Sequence, residues 1–301
     1  MMKVLLTGKN GQLGWELQRA LTSFGEIVAL DVDELDLTDA DAIRRTIRRI
    51  EPRIIINPAA HTAVDKAESE PALAMAVNGI APGVIAEEAK RLGAVLVHYS
   101  TDYVFDGNKS SPYTETDVPD PQSVYGSTKL AGEQAVSASG CKHLILRTSW
   151  VYGVHGANFV KTVLRLAKER GELRIVADQF GAPTWARDLA QATVSALGHW
   201  QQKDWDDGMT GLYHLTAGGR TSWHQYAVEI VRLARLYDAS LAAKQLDIRA
   251  IATHEYPVPA KRPANSVLAN DKIGQAFEIG LPGWDASLAE CVRLLYEQPD
   301  L

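Results

Sequence analysis

Tyr125 and Lys129, in the run Tyr125-Gly126-Ser127-Thr128-Lys129, are the residues of this 301-residue chain best spaced to move a proton. On a helix, positions i and i+4 share a face, so the phenol and the ammonium would stand side by side. A nearby cation favours phenolate and lowers a tyrosine pKa from its ordinary ~10. Tyr125 would then be a usable proton donor to a carbonyl undergoing reduction. Upstream, Thr101 follows the strand-like run 94–99, and its hydroxyl can bind and polarise the substrate oxygen. The three candidate catalytic residues are therefore Thr101, Tyr125 and Lys129.

A second motif, Gly8-Lys9-Asn10-Gly11-Gln12-Leu13-Gly14, comes directly after the first apolar run. Glycines let the backbone turn tightly and approach a pyrophosphate, and the helix that follows offers its free N–H groups and positive dipole end. The spacing is GxxGxxG, and its place between a strand and a helix at the N-terminal end gives it meaning. Asp31 closes the second strand, where an acid hydrogen-bonds the adenosine ribose in dinucleotide folds. It would favour NADH, whereas Lys9 beside the turn could accept the extra phosphate of NADPH, so either nicotinamide is expected. The segment Asn57-Pro58-Ala59-Ala60-His61-Thr62 ends a third strand. Its alanines leave room for a flat nucleotide at the strand ends, where ligands bind in such sheets.

These motifs need elements to carry them. Strands are expected at 4–6, 26–30, 53–56, 94–99 and 143–147, with helices at 11–24 and, N-capped by Thr38, over the next stretch. Strands alternating with helices imply parallel pairing. Runs such as Ile54-Ile55-Ile56 are apolar throughout, as strands covered on both faces must be. The expected fold is α/β, a Rossmann-like, doubly wound parallel sheet over residues 1–148. Residues 149–301 then form mainly a smaller substrate-binding lobe, with helices at 158–169, 187–200, 222–237 and 285–297 and a short strand at 173–176. Segments within about 172–206 are expected to return to the sheet. Residues 255–265 hold Pro257, Pro259 and Pro263 and read as loop.

Composition excludes other classes. The formal net charge is −6 with no strongly basic face, so nucleic acid is not an expected partner. Arg44, Arg45, Arg48 and Arg49 interleave with Ile43, Ile47 and Ile50 at helical spacing and read as a solvated helix face. Cys141 and Cys291 stand far apart without a CxxC neighbour, so neither disulfide nor zinc is expected. No apolar run approaches the ~20 residues of a membrane helix, and no signal-peptide pattern opens the chain. A soluble cytosolic protein without membrane partner is expected.

Gly8 to Gly14, then Tyr99-Ser100-Thr101-Asp102-Tyr103-Val104-Phe105, then Tyr125 to Lys129 resemble the extended short-chain dehydrogenase superfamily. Further runs resemble the dTDP-4-dehydrorhamnose reductase family within it. They are Ala59 to Glu68 (AAHTAVDKAE), Arg147 to Tyr152 (RTSWVY), Asp178 to Thr184 (DQFGAPT) and Arg262 to Ser266 (RPANS), in the family's order across nearly the whole chain. The resemblance implies reduction of the C4 keto group of a dTDP-sugar with NADPH or NADH. It implies cofactor contacts from Gly8, Asn10, Gly11, Gln12, Leu13, Gly14, Asp31, Val32, Asp36, Leu37, Ala59, Ala60, His61, Thr62, Tyr99, Tyr125 and Lys129. Substrate contacts are implied for Thr101, Asp102, Tyr103, Trp150, Asn158 and Arg262.

One departure concerns metal. Some members of the resembling family form dimers around magnesium held by acidic side chains. Glu16 matches one ligand, but Arg187 stands at the later acidic position, so no metal is expected and the chain is read as a monomer or homodimer. Two rival readings stay open. A sugar-nucleotide dehydratase would need an Asp-Glu pair after the strand-end threonine, whereas Thr101 is followed by Asp102 and Tyr103; a 4-epimerase is its companion reading. A non-catalytic regulatory subunit binding NADP, as in methionine adenosyltransferase, would not need the complete Thr101, Tyr125 and Lys129 set.

Overall fold

A computed structural model describes residues 2–298. Five parallel strands run through the first half: β1 (Lys3–Thr7), β2 (Glu26–Leu30), β3 (Ile54–Asn57), β4 (Val95–Thr101) and β5 (Lys142–Thr148). A sixth strand, Gly211–His214, joins the far edge beside β5, giving the order Gly211–His214, β5, β4, β3, β1, β2. Every neighbouring pair in this sheet is parallel. The residues of β3 and β4 are all buried, because helices cover both faces. Each fully buried Ile of β3 contributes roughly 1.5–3 kcal/mol of transfer free energy.

One face of the sheet carries α1 (Gln12–Ala20) and α8 (Ala186–Gln202). The other carries α2 (Ala40–Ile50), α5 (Ala81–Leu92) and α6 (Val124–Ser139). Between β3 and β4 lie two short helices, α3 (Val64–Ser69) and α4 (Pro71–Met75), and a π turn at Ala76–Ile80 that runs into α5. The arginines of α2 are partly engaged: Arg48 forks onto the buried Glu88 of α5, with Nε 3.0 Å from Oε2, and Arg44 reaches Glu87.

The second lobe gathers α7 (Phe159–Glu169), α9 (Trp223–Ala234) and the helix Trp284–Glu297 around its own apolar cluster. It carries a parallel pair of strands, Glu172–Val176 and Asp247–Ile251. The chain does not stay in this lobe. The segments that come back to the main sheet are α8, against α1, the strand Gly211–His214 and the short helix Asp271–Phe277, whereas the strand near residue 173 remains in the lobe.

Local departures from the sequence reading have simple causes. Asp39, not Thr38, caps α2, its carboxylate accepting from the Ala42 amide; Thr38 donates to Asp36 instead. The first helix is α only to Ala20 and tightens to a 3₁₀ turn at Leu21–Phe24 before Gly25. Neither Gly211–His214 nor Asp247–Ile251 is anticipated by hydropathy, since both are short edge strands and the latter is mostly exposed. Among the described residues, no helix is long and apolar enough to cross a membrane.

Candidate active site

The turn after β1 can hold only glycine at two points. Gly8 has φ +61°, and a Cβ there would lie 3.0 Å from Ala59. A Cβ on Gly14 would stand 2.0 Å from the Gly8 carbonyl oxygen. Helix α1 starts at Gln12 with Gly11 as its cap, no side chain on its free amides and no acid in its first turn. Such a helix start suits an anion. A groove of about 680 Å³ opens over this turn and the C-terminal ends of β1 to β4. Every residue implied above as a cofactor contact lines it, from Gly8 through Lys129, together with Ser100, Thr148, Val151, Gly156 and Ala157. The uncapped helix start and the glycine cradle fit a dinucleotide.

The adenosine end is arranged differently from the sequence expectation. Asp31 Oδ2 accepts from the Asn10 amide at 2.8 Å and Oδ1 from the Val32 amide at 2.9 Å. Asp31 thus braces the turn it was expected only to face. Lys9 is paired with Glu34, whose other oxygen accepts from the Asp31 amide at 2.8 Å. That pairing neutralises the cation expected to attract a 2′-phosphate. His61 is held through its backbone by Asn78 in the π turn, which accepts from the His61 amide at 2.8 Å, donates back to its carbonyl and reaches Thr128 on α6 at 3.3 Å.

Tyr125 and Lys129 enter the groove from α6, a helix capped twice. Ser123 accepts from the Gly126 amide, and Glu68 of α3 accepts from the Val124 amide at 2.9 Å. The i, i+4 spacing does place phenol and ammonium on one face, but the electrostatics differ from the expectation. Burial pushes the Tyr125 phenol up to about 12; the Thr101 hydroxyl pulls the other way and the Asp102 charge adds to the rise. Lys129 turns its Nζ to the Tyr99 carbonyl at 2.6 Å, and burial draws its pKa down to about 8, opposed by Glu133. Desolvation outweighs the Thr101 hydrogen bond, so the phenol is protonated, the form a proton donor needs.

Thr101 is the last residue of β4. Its hydroxyl donates to Asp102 Oδ1 at 2.9 Å and accepts from the Tyr103 amide at 3.2 Å. Asp102 is buried with Oδ2 unpartnered, and burial lifts its carboxyl to about 6. An orphaned buried oxygen beside the phenol is a ready acceptor for a substrate hydroxyl. Tyr103 stands edge-on to Tyr125 at 5.5 Å between centroids, and the Arg262 guanidinium lies 6.0 Å over its ring. Arg262 is held by Asp65 of α3 at 2.7 Å, across 197 residues of sequence.

Two implied substrate contacts already have partners within the protein. Asn158 caps α7, accepting from the Lys161 amide, while its own amide donates to the Gly153 carbonyl and to Gln12 Oε1. It belongs to the frame of the cofactor groove, because its polar atoms are already occupied. Trp150, with φ +48°, stacks on Trp223 at 3.5 Å with the planes 9° apart. It thereby joins the sheet to the second lobe.

Residues 2–297 match the RmlD substrate binding domain family. The chain is 50% identical over 298 residues to a dTDP-4-dehydrorhamnose reductase of Burkholderia thailandensis, covering 99% of this chain and 100% of that one. The family is thereby decided. This chain belongs to the RmlD family of dTDP-4-dehydrorhamnose reductases. Among solved members, the Clostridium acetobutylicum protein is 42% identical with a TM-score of 0.88, covering 98% of this chain and 99% of that one. The Bacillus anthracis protein, solved in complex with NADP, is 36% identical with a TM-score of 0.86, covering 97% and 99%.

Within the RmlD family frame, several positions escape a reading of single motifs. Glu68, Asn78 and Asp65 hold other site residues through backbone or ion-pair contacts; the AAHTAVDKAE run as a whole hinted at Asp65 and Glu68, and no motif marked Asn78. His155, in the loop before α7, donates from Nε2 to the Asn10 carbonyl, 3.0 Å away, and stacks on Trp15, with nothing in its surroundings in sequence to mark it. At the position expected to lack a metal, Arg187 Nε lies 3.4 Å from Glu16 Oε2, and Asp188 is turned to Ser287 on the last helix. The guanidinium engages only Oε2 of Glu16, whose Oε1 is buried without a partner.

Proposed function

We propose that this chain reduces the C4 keto group of dTDP-4-dehydro-L-rhamnose to give dTDP-L-rhamnose, with Tyr125 as proton donor. It is an NAD(P)H-dependent oxidoreductase of its family. The nicotinamide, when bound, supplies the hydride to C4. Tyr125 Oη gives its proton to the C4 oxygen, leaving a hydroxyl on the product and a phenolate on the protein. Lys129, one helical turn away, stabilises that phenolate by its charge. Thr101 orients the carbonyl oxygen from the strand end, and Asp102 takes a sugar hydroxyl on its free oxygen. Arg262 meets the diphosphate with its planar fork and Trp150 backs the sugar side. The first 148 residues carry the cofactor and the second lobe most of the substrate. The enzyme works in the cytosol as a monomer or a metal-free homodimer.

The observation that carries this reading is the entry of the protonated Tyr125 and Lys129 into one cofactor-sized groove, with the Thr101 hydroxyl beside the Tyr125 phenol. The test is coupled turnover of dTDP-glucose through to dTDP-rhamnose, with NADH and NADPH in parallel. Oxidation of either cofactor with formation of dTDP-rhamnose is the expected result. Cofactor binding without oxidation would move the chain to a regulatory role.

A further inference from the structure

The helix that carries Tyr125 and Lys129 has a third group in the same row. Glu133 follows Lys129 by four residues, so Tyr125, Lys129 and Glu133 lie along one face. Glu133 and its partner Arg147 on β5 are 4% and 2% exposed. Arg147 Nε donates to Glu133 Oε1 at 2.8 Å and Nη2 donates to Oε2 at 2.6 Å. The Ser100 hydroxyl donates to the same Oε1. Ser100 sits between Tyr99, whose carbonyl holds Lys129, and Thr101. One carboxylate therefore binds α6 to the ends of both β4 and β5, at the place where the reacting groups converge. A buried ion pair adds little to stability over a well-packed apolar pair, so bulk stability does not account for it.

We propose that Glu133 is a positioning residue for the reduction: it fixes the catalytic helix to the two strand ends and sets a negative charge beneath Lys129. The inference rests on the reading of Tyr125 and Lys129 as the reacting pair. The groups around Lys129 single out Glu133. Its own helix brings Tyr125 and Glu133. From β4 come the Tyr99 carbonyl and His98, which burial and Lys129 itself keep neutral. From β5 comes Arg147, a second buried cation. The turn Asp102–Val104 brings Asp102 and Tyr103. Glu68 of α3 is on the Val124 amide. On α5, Glu87 and Glu88 face Arg44 and Arg48, and Lys90 reaches Gly140 at the far end of α6. The Glu133 carboxylate is the charge that opposes the loss of the Lys129 proton. Without it, Lys129 and Arg147 would be two cations in one desolvated site.

The sign follows. Lys129 must be charged, so turnover is present below its pKa and is lost as pH rises through it. Removing the carboxylate moves that loss to lower pH. In Glu133→Gln the alkaline limb of kcat/KM should move down by about one pH unit, with kcat at pH 7 reduced about tenfold and KM for NADPH within about twofold. Glu133→Asp should restore most of the limb. Because Glu133→Gln strands Arg147 in the core, the double variant Glu133→Gln/Arg147→Met provides a neutral replacement of the pair; it should move the limb in the same direction but less far, since the second cation leaves with the carboxylate. A wild-type limb in either folded variant overturns the proposal and leaves Glu133 a packing residue. Lys129→Met separates the two levels: if it turns over normally, the reacting pair is misread; if it is inactive while the Glu133 limb stays put, only the role of Glu133 fails.

Discussion

The wall proposed for the cofactor is made of strand ends and one helix start, each contiguous in sequence: Gly8 to Gly14, Asp31 to Leu37, Ala59 to Thr62. The wall proposed for the substrate is joined from distant pieces. Arg262 is fixed by Asp65, Trp150 by Trp223, and the Asn265 amide donates to the Gly107 carbonyl at 3.0 Å. On the first wall, backbone geometry does the holding, and a side chain matters mainly where glycine is required. On the second, side-chain pairs do it, so each member depends on a partner the local sequence does not name. The contrast implies that single substitutions on the two walls fail differently: turnover or cofactor choice on one, sugar-nucleotide recognition on the other.

The largest effect is expected where the walls meet. Tyr125→Phe should lower kcat roughly 10²–10⁴-fold, the range for a positioned acid, while NADPH binding by fluorescence titration stays within a few-fold. Near-normal turnover would remove Tyr125 from the chemistry. Next, Asp65→Ala frees Arg262 and should raise KM for the sugar nucleotide about tenfold, roughly 1.4 kcal/mol, with KM for NADPH unchanged. An equal rise in both constants would show that α3 serves the cofactor wall too. A smaller change is expected on the cofactor wall. Glu34→Gln releases Lys9, so the kcat/KM ratio of NADPH over NADH should rise about fivefold; an unchanged ratio would take Lys9 out of cofactor choice. Asp31→Ala is the poorer probe, because Asp31 also braces the Asn10 and Val32 amides. The smallest effect is predicted away from both walls. EDTA should leave turnover and sedimentation as they are, since Arg187 rather than an acid faces Glu16; a dimer lost on chelation and restored by magnesium would refute this.

The same contrast explains what could be read from the sequence. The parallel sheet was legible because fully buried strands such as Ile54–Asn57 leave unbroken apolar runs. The glycine turn and the Tyr125–Lys129 pair were legible because their meaning lies within one turn of chain. The raised Tyr125 pKa was not, since it depends on burial that no spacing reports, and Lys129 turns to a carbonyl from another element. The caps on α6 were hidden for a like reason: Glu68 reaches Val124 across 56 residues. Asn158 and Lys9 carried the right chemistry for ligand contact, but neighbours in space had already engaged them.

The π turn at Ala76–Ile80 gives the region between β3 and β4 a fixed length. A π turn holds one residue more per hydrogen-bonded ring than an α-helix. Removing one residue there would regularise the ladder and favour the isolated helix. It would also rotate α5 by about 100° against what precedes it. Gly83 would leave Ala135 of α6, against which a Cβ would already stand at 3.0 Å, and Asn78 would leave His61 and Thr128. Apart from Asn78, which holds His61 and Thr128, this stretch can therefore drift in residue type more readily than in residue number, and an alignment gap inside it would mark a different active-site geometry.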